Sequence, residues 1–172
     1  MSSDIGGHPR WFELTDGTLT YRASVYEALN YSEDITRIGG YTTSRTLNGT
    51  GIKQQNWVRR AITISGTGGL PPGFEDLNFE LPITVRCGTI RTMIRTLDAF
   101  VLPGHRTDSG YEPYSLKYVD GFWVPIETIG VPTKYMRAYY PELVCHMDPP
   151  KISSALGDSS IPISWVIQGE EV

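Results

Sequence analysis

The sequence predicts an all-β protein, an antiparallel sandwich or barrel with long loops and at most one short helix. Three observations carry this. The turn pairs Asp16-Gly17, Asn48-Gly49 and Asp120-Gly121 each lie between strand-like runs, and such pairs adopt the positive dihedrals of hairpin turns without strain. The flanks of Trp57–Cys87 alternate cleanly: Val58, Arg60, Ile62 and Ile64 fall on one face, as do Ile83, Val85 and Cys87. The 172 residues include 18 glycines and 12 prolines, a composition tilted towards turns. About eight to ten short strands at this spacing are the pattern of a β-sandwich or barrel.

Taken in order, the chain opens with a hairpin around Asp16-Gly17. A two-residue type I′ turn sets Leu14 opposite Leu19 and Phe12 opposite Tyr21 on an apolar face, with Glu13, Thr15, Thr18 and Thr20 on the polar one. Residues 24–31, SVYEALNY, read as a short helix capped by Ser24 or as a strand. After Gly39-Gly40 comes the Thr-rich strand YTTSRTL, then Asn48-Gly49, where Gly51 lengthens the loop.

Trp57–Cys87 reads as strand, long crossing, strand. Gly66, Gly68, Gly69, Pro71, Pro72 and Gly73 interrupt pairing between its halves, and a loop of that length within a domain is more often functional or interfacial than filler. TIRTMIRTLDAF continues as a strand with arginine on both sides, Arg91 and Arg95, which fits a solvated edge or a surface that meets acidic groups on another chain. Beyond PGHRTDSGYEP, the Asp120-Gly121 hairpin sets Tyr118 opposite Trp123 and Leu116 opposite Pro125. Large apolar groups lie on both of its faces, so it is expected to be covered twice. In TKYMRAYYPELVCHM, Pro141 marks an edge strand or a bulge. The last strand aligns Ile161, Ile163, Trp165 and Ile167.

The length suits a single β-rich domain over 1–172, with 1–10 as an extended arm. A net charge of −4 argues against a partner with a phosphate backbone, which clustered Lys/Arg would have to neutralise. No apolar run reaches the roughly 18 residues of a membrane span, and MSSDIGGHPR lacks the basic and apolar regions of a secretion signal, so folding in the cytosol is expected. There Cys87 and Cys145 are expected as free, buried thiols.

Candidate chemistry is sparse. His105, Asp108 and Ser109 share a loop, but no GxSxG elbow is present and nearness in sequence does not make a triad. Cys145, His146, Asp148, Cys87 and His105 lack the short paired spacing of a metal site. SGTGGLPPG has no Lys-Ser/Thr behind its glycines, and Pro71-Pro72 blocks the helix that would aim amides at a phosphate. Four tryptophans and ten tyrosines suit sugar stacking, cores or interfaces equally. The expectation is therefore a non-enzyme without catalytic, metal or cofactor residues.

WVRRAITISGTGGLPPGFEDLNFELPITVRC, with LPGHRTDSGYEPYSLKYVDGFWVP, RAYYPELVCHMDPP and the ending SWVIQGEEV, resembles minor tail proteins of long non-contractile-tailed bacteriophages and related prophages. The likeness covers most of the chain from about residue 55 onward. It implies a structural component of the virion tail at the tail tip or baseplate, synthesised and assembled in the bacterial host cytoplasm, with no catalytic residues to carry over. The implied assembly is a homo-oligomeric ring, hexameric or trimeric, joining the tube to tip proteins, with tube, tape measure and hub as partners. Candidate inter-subunit contacts are Trp11, Leu70, Pro71, Pro72, Phe74, Phe79, Arg91 and Arg95, since rings close through arms, long loops and strand edges. On that expectation, deleting residues 68–76 blocks assembly and spares the monomer. The alternative is a carbohydrate-binding β-sandwich module for host-surface attachment.

Overall fold

The computed structural model describes residues 11–23, 30–95, 102–126, 135–153 and 163–172, and these form strands, turns and loops with no helix. The arm over 1–10, Ile161 and most of the 24–31 element lie outside the described residues.

Strands β1 (Glu13–Thr15), β2 (Thr20–Arg22) and β3 (Ser32–Ile38) precede a separate hairpin of β4 (Tyr41–Arg45) and β5 (Gly51–Gln55). β6 (Arg59–Gly68), β7 (Ile83–Arg86) and β8 (Arg91–Arg95) form the middle of the chain. β9 (Tyr114–Val119), β10 (Phe122–Ile126), β11 (Tyr135–Tyr139), β12 (Glu142–Met147), β13 (Lys151–Ser153) and β14 (Ile163–Glu171) complete it. The larger antiparallel sheet runs β2-β1-β7-β12-β14-β6-β3, with β13 also on β14, and the smaller runs β10-β9-β11-β8.

The alternation read from sequence builds the core directly. Ile62, Ile64, Ile83, Val85, Cys87, Leu143, Cys145, Trp165 and Ile167 are all buried on the inner face of the large sheet, with Phe12 and Leu14 beside them. That sheet curls strongly. Phe12, next to β1, stacks on Tyr31, next to β3, at 5.1 Å and 12°, although β1 and β3 lie near opposite ends of the strand order. The architecture is thus an antiparallel, sandwich-like β fold around one curled sheet.

Two strand pairs pass from one sheet into the other. β7 pairs β12 in the large sheet, and β8 pairs β11 in the small one. At the crossing the Cys87 amide donates to the Pro141 carbonyl at 2.9 Å, and the Arg106 amide donates to the Tyr140 carbonyl at 2.8 Å. Pro141, which has no amide to donate, falls between β11 and β12, where an isolated bridge to His105 replaces the ladder. The interruption expected at Pro141 is a corner between sheets.

Several expected details change. The first hairpin pairs Thr15 with Thr20 and Leu14 with Tyr21, not Leu14 with Leu19, because Asp16–Leu19 forms a four-residue turn. The Asp16 carboxylate accepts from the amides of Thr18 and Leu19, each at 2.8 Å, and stabilises that wider turn. β6 runs on through Gly66 and Gly68. Gly66 is no breaker here: a Cβ at this position would lie 2.5 Å from Cζ2 of Trp165 on β14, so its lack of a side chain makes room for the indole. The Asp120-Gly121 hairpin has the expected register, Tyr118 with Trp123 and Leu116 with Pro125, and both turn residues have positive φ, 48° and 90°. Among the described residues its expected double covering is not formed: β10 is a sheet edge, and Tyr118, Val119, Phe122 and Val124 are all exposed.

Candidate functional site

The Gly/Pro crossing spans residues 69–82 and lies at the far end of β6. It is anchored from within. Phe74 is fully buried, edge-on to Tyr21 at 4.7 Å and to Trp165 at 5.4 Å, a burial that contributes about 1.5–3 kcal/mol. Leu77 joins the core, Phe79 packs partly on it, and the Asn78 amide donates to Asp16 Oδ2 at 3.1 Å. Pro72 is buried; Leu70 and Pro71 are exposed. Of the candidate contact residues in this loop, then, Leu70 and Pro71 offer surface to a neighbour, while Phe74 serves the chain's own core. Trp11 packs partly against that core. Arg91 and Arg95 stand at the two ends of β8, an edge strand, in register with Tyr139 and Tyr135 of β11.

The other outward feature escaped sequence reading. All ten residues of β4 and β5 are exposed, and this hairpin pairs with no further strand among the described residues. Tyr41 and Ile52 are exposed along it, and Leu47 is fully exposed in the loop. An isolated two-stranded hairpin is only marginally stable in water, so such an arm is most stable when another surface covers it. At its base Gly40 lies against the indole of Trp57.

The sheet-crossing corner holds a buried charge cluster. Arg106 has no exposed surface; its Nε and Nη2 donate to Asp108 at 3.0 and 2.6 Å, and Nη1 donates to the carbonyls of Trp11 and Cys87 at 3.0 and 3.2 Å. Its guanidinium stacks over the Tyr111 ring at 3.4 Å. Arg106 therefore holds Asp108 below the usual carboxylate range. The hydrolase grouping is not assembled: Asp108 is taken by Arg106, and His105 Nδ1 is 2.8 Å from the Pro103 carbonyl. Cys87 and Cys145 are buried free thiols, as expected. Burial pushes the Cys87 thiol well up and the Cys145 thiol to about 12, which keeps both protonated and poor as nucleophiles or ligands. No cluster of three or more metal-ligating side chains occurs among the described residues.

One cleft, of about 600 Å³, opens where the edge strands β3 and β8 face each other. Arg37, Arg59, Arg60 and Arg91 line it, together with Tyr139 and apolar Ile35, Val58 and Met93. Arg60 is engaged: its Nε and Nη2 grip Glu171 at 3.0 and 2.5 Å, and this hydrogen-bonded pairing holds Glu171 below the usual carboxylate range. Burial raises the Tyr139 phenol, and the nearby charges of Arg60, Arg91 and Arg37 oppose that rise. Arg91 Nε is buried without a hydrogen-bond partner among the described residues. Glu33 lies near Arg91, but its carboxylate already accepts the amides of Gly88 and Thr89 at 2.8 and 2.9 Å. The cleft thus carries an excess of positive charge.

Searches against protein-family models, curated proteins and solved structures gave no match to this chain.

Proposed function

We propose that this chain is a structural component of a bacteriophage virion tail, a ring-forming tail-tip, distal-tail or baseplate protein that joins the tube to tip proteins. The sequence resemblance over residues from about 55 onward suggests the setting. The observation that carries the assembly role is the exposed β4–β5 arm, whose strands meet no other strand among the described residues. A second exposed hairpin, β9–β10, adds Tyr118, Val119, Phe122 and Val124 at a sheet edge. Exposed apolar surfaces and unpaired edges are what repeated, symmetric contacts cover.

Deleting residues 68–76 is a poor test, because it removes core residue Phe74 and the end of β6. The informative variant replaces residues 42–54 of the arm by a short Gly-Ser turn. It should unfold at nearly the wild-type temperature and yet fail to restore tails when expressed from the genome that encodes the chain. Absence of the chain from purified particles, or normal tails built with the shortened arm, would overturn the reading.

A second reading draws support from the aromatic pair Tyr118 and Trp123, 5.2 Å apart on one face of the β9–β10 hairpin. That pair offers stacking surface to a sugar, as in a carbohydrate-binding module. Glycan binding by the isolated monomer, lost on Trp123→Ala, would favour it.

A further inference from the structure

The molecule is electrically polar along β6. That strand spans ten residues, about 30 Å at the usual rise. At its start, Arg37 and Arg59 are exposed beside Arg91 in the cleft between the β3 and β8 edges. At its end, the 69–82 loop carries exposed Glu75, Asp76 and Glu80 and no basic residue, and Asp16 is hydrogen-bonded beneath it. The loop is anchored by Phe74 and Leu77 in the core, and its acidic side chains lie on the exposed side.

We propose that the arginine cleft is the docking site for the acidic 69–82 loop of a second copy of this chain, giving a head-to-tail contact. The inference rests on the assembly reading above and names its interface. Charge complementarity selects the occupant. Arg37, Arg59 and Arg91 meet Glu75, Asp76 and Glu80, while exposed Leu70 reaches the apolar strip of Val58 and Met93. Because donor loop and acceptor cleft sit at opposite ends of one strand, the contact is heterologous. It propagates in one direction and closes into a ring if its rotation permits.

The test is sedimentation of the full chain with charge reversals at exposed positions only. Arg37→Glu with Arg59→Glu reverses the cleft, and Glu75→Lys with Asp76→Lys reverses the loop. Each double variant should lose self-association by roughly tenfold or more, since like charges then face each other. An equimolar mixture should recover it, because every cleft in an alternating assembly then meets a loop of opposite sign. Wild-type association should also weaken with added salt, a measurement that needs no substitution.

Association unchanged by either reversal, or a mixture that stays dissociated, overturns the proposal. So does a wild-type chain that remains monomeric at its highest soluble concentration. So does binding of a synthetic poly-glutamate peptide in the cleft while self-association ignores both reversals, which would assign the cleft to a different acidic partner. Whether the chain is present in purified particles decides the tail reading separately, so the two failures are distinguishable.

Discussion

Replacing Arg106 by alanine tests whether the corner between the sheets is held by one buried cation. The wild-type guanidinium satisfies Asp108 twice and the carbonyls of Trp11 and Cys87 once each, and lies 3.7 Å from Glu13. In the variant Asp108 regains water, since it is already about a third exposed, at 36%. The Cys87 carbonyl has no such recourse, because its bond to Arg106 is wholly buried. Each abandoned buried acceptor costs about 1–3 kcal/mol, and the vacated space beneath Tyr111 adds a cavity cost. The expected loss is about 3–5 kcal/mol, in the range for breaking a buried pair. For a chain of this size that lowers the midpoint by about 6–20 °C. Arg106→Lys keeps the charge but loses the planar fork and the ring stack, and should fall between. Urea unfolding with paired fluorescence and circular dichroism measures all three proteins. A loss below about 1 kcal/mol for Arg106→Ala would refute the reasoning, showing that water or local rearrangement satisfies the corner without the guanidinium.

Phe74→Ala should cost about 3–5 kcal/mol in thermal or urea unfolding, because its ring is buried between Tyr21 and Trp165. Leu70→Ser, four residues earlier but 56% exposed, should stay within about 0.5 kcal/mol of wild type in the same assay. Gly66→Ala should destabilise by about 1–3 kcal/mol and shift the tryptophan fluorescence, since the added methyl meets the Trp165 indole at 2.5 Å. The Glu171 carboxyl is held below its ordinary value by Arg60, so the folded state favours its ionised form. Its stabilising contribution is fully present above the ordinary value of 4.5 and is lost as pH falls through the lower folded value. Glu171→Gln should therefore flatten that part of the acid unfolding curve, and an unchanged slope would show that other carboxylates govern it.

The β class, the alternation that fills the core and the Asp120-Gly121 register were all legible in the sequence, because each depends on neighbours two residues apart or on one turn's dihedrals. Pro141 announced a break for the same local reason, its missing amide. The width of the first turn was less accessible, since Asp16 could supply either a tight pair or a carboxylate that gathers the next amides, and the second arrangement won. Gly66 and Gly68 read as breakers because their partners, Trp165 and Ile163, lie about a hundred residues away. Phe74 likewise looked like an outward anchor until the curled sheet brought Tyr21 and Trp165 to it. Arg106 gave no local signal at all; only the crossing of two strand pairs makes a buried cation necessary there.

The sequence by itself determined which residues alternate, where the chain turns and that its elements are strands, since local sterics and side-chain period suffice for these. The tertiary structure decided which surfaces remain open. It buried the centre of the Gly/Pro crossing, left the β4–β5 arm uncovered, and gathered arginines from β3, β6 and β8 around one cleft at the opposite end of β6 from the acidic loop. Charge complementarity between distant segments depends on strand order and sheet curvature, which pairings of long sequence separation set and local pattern does not.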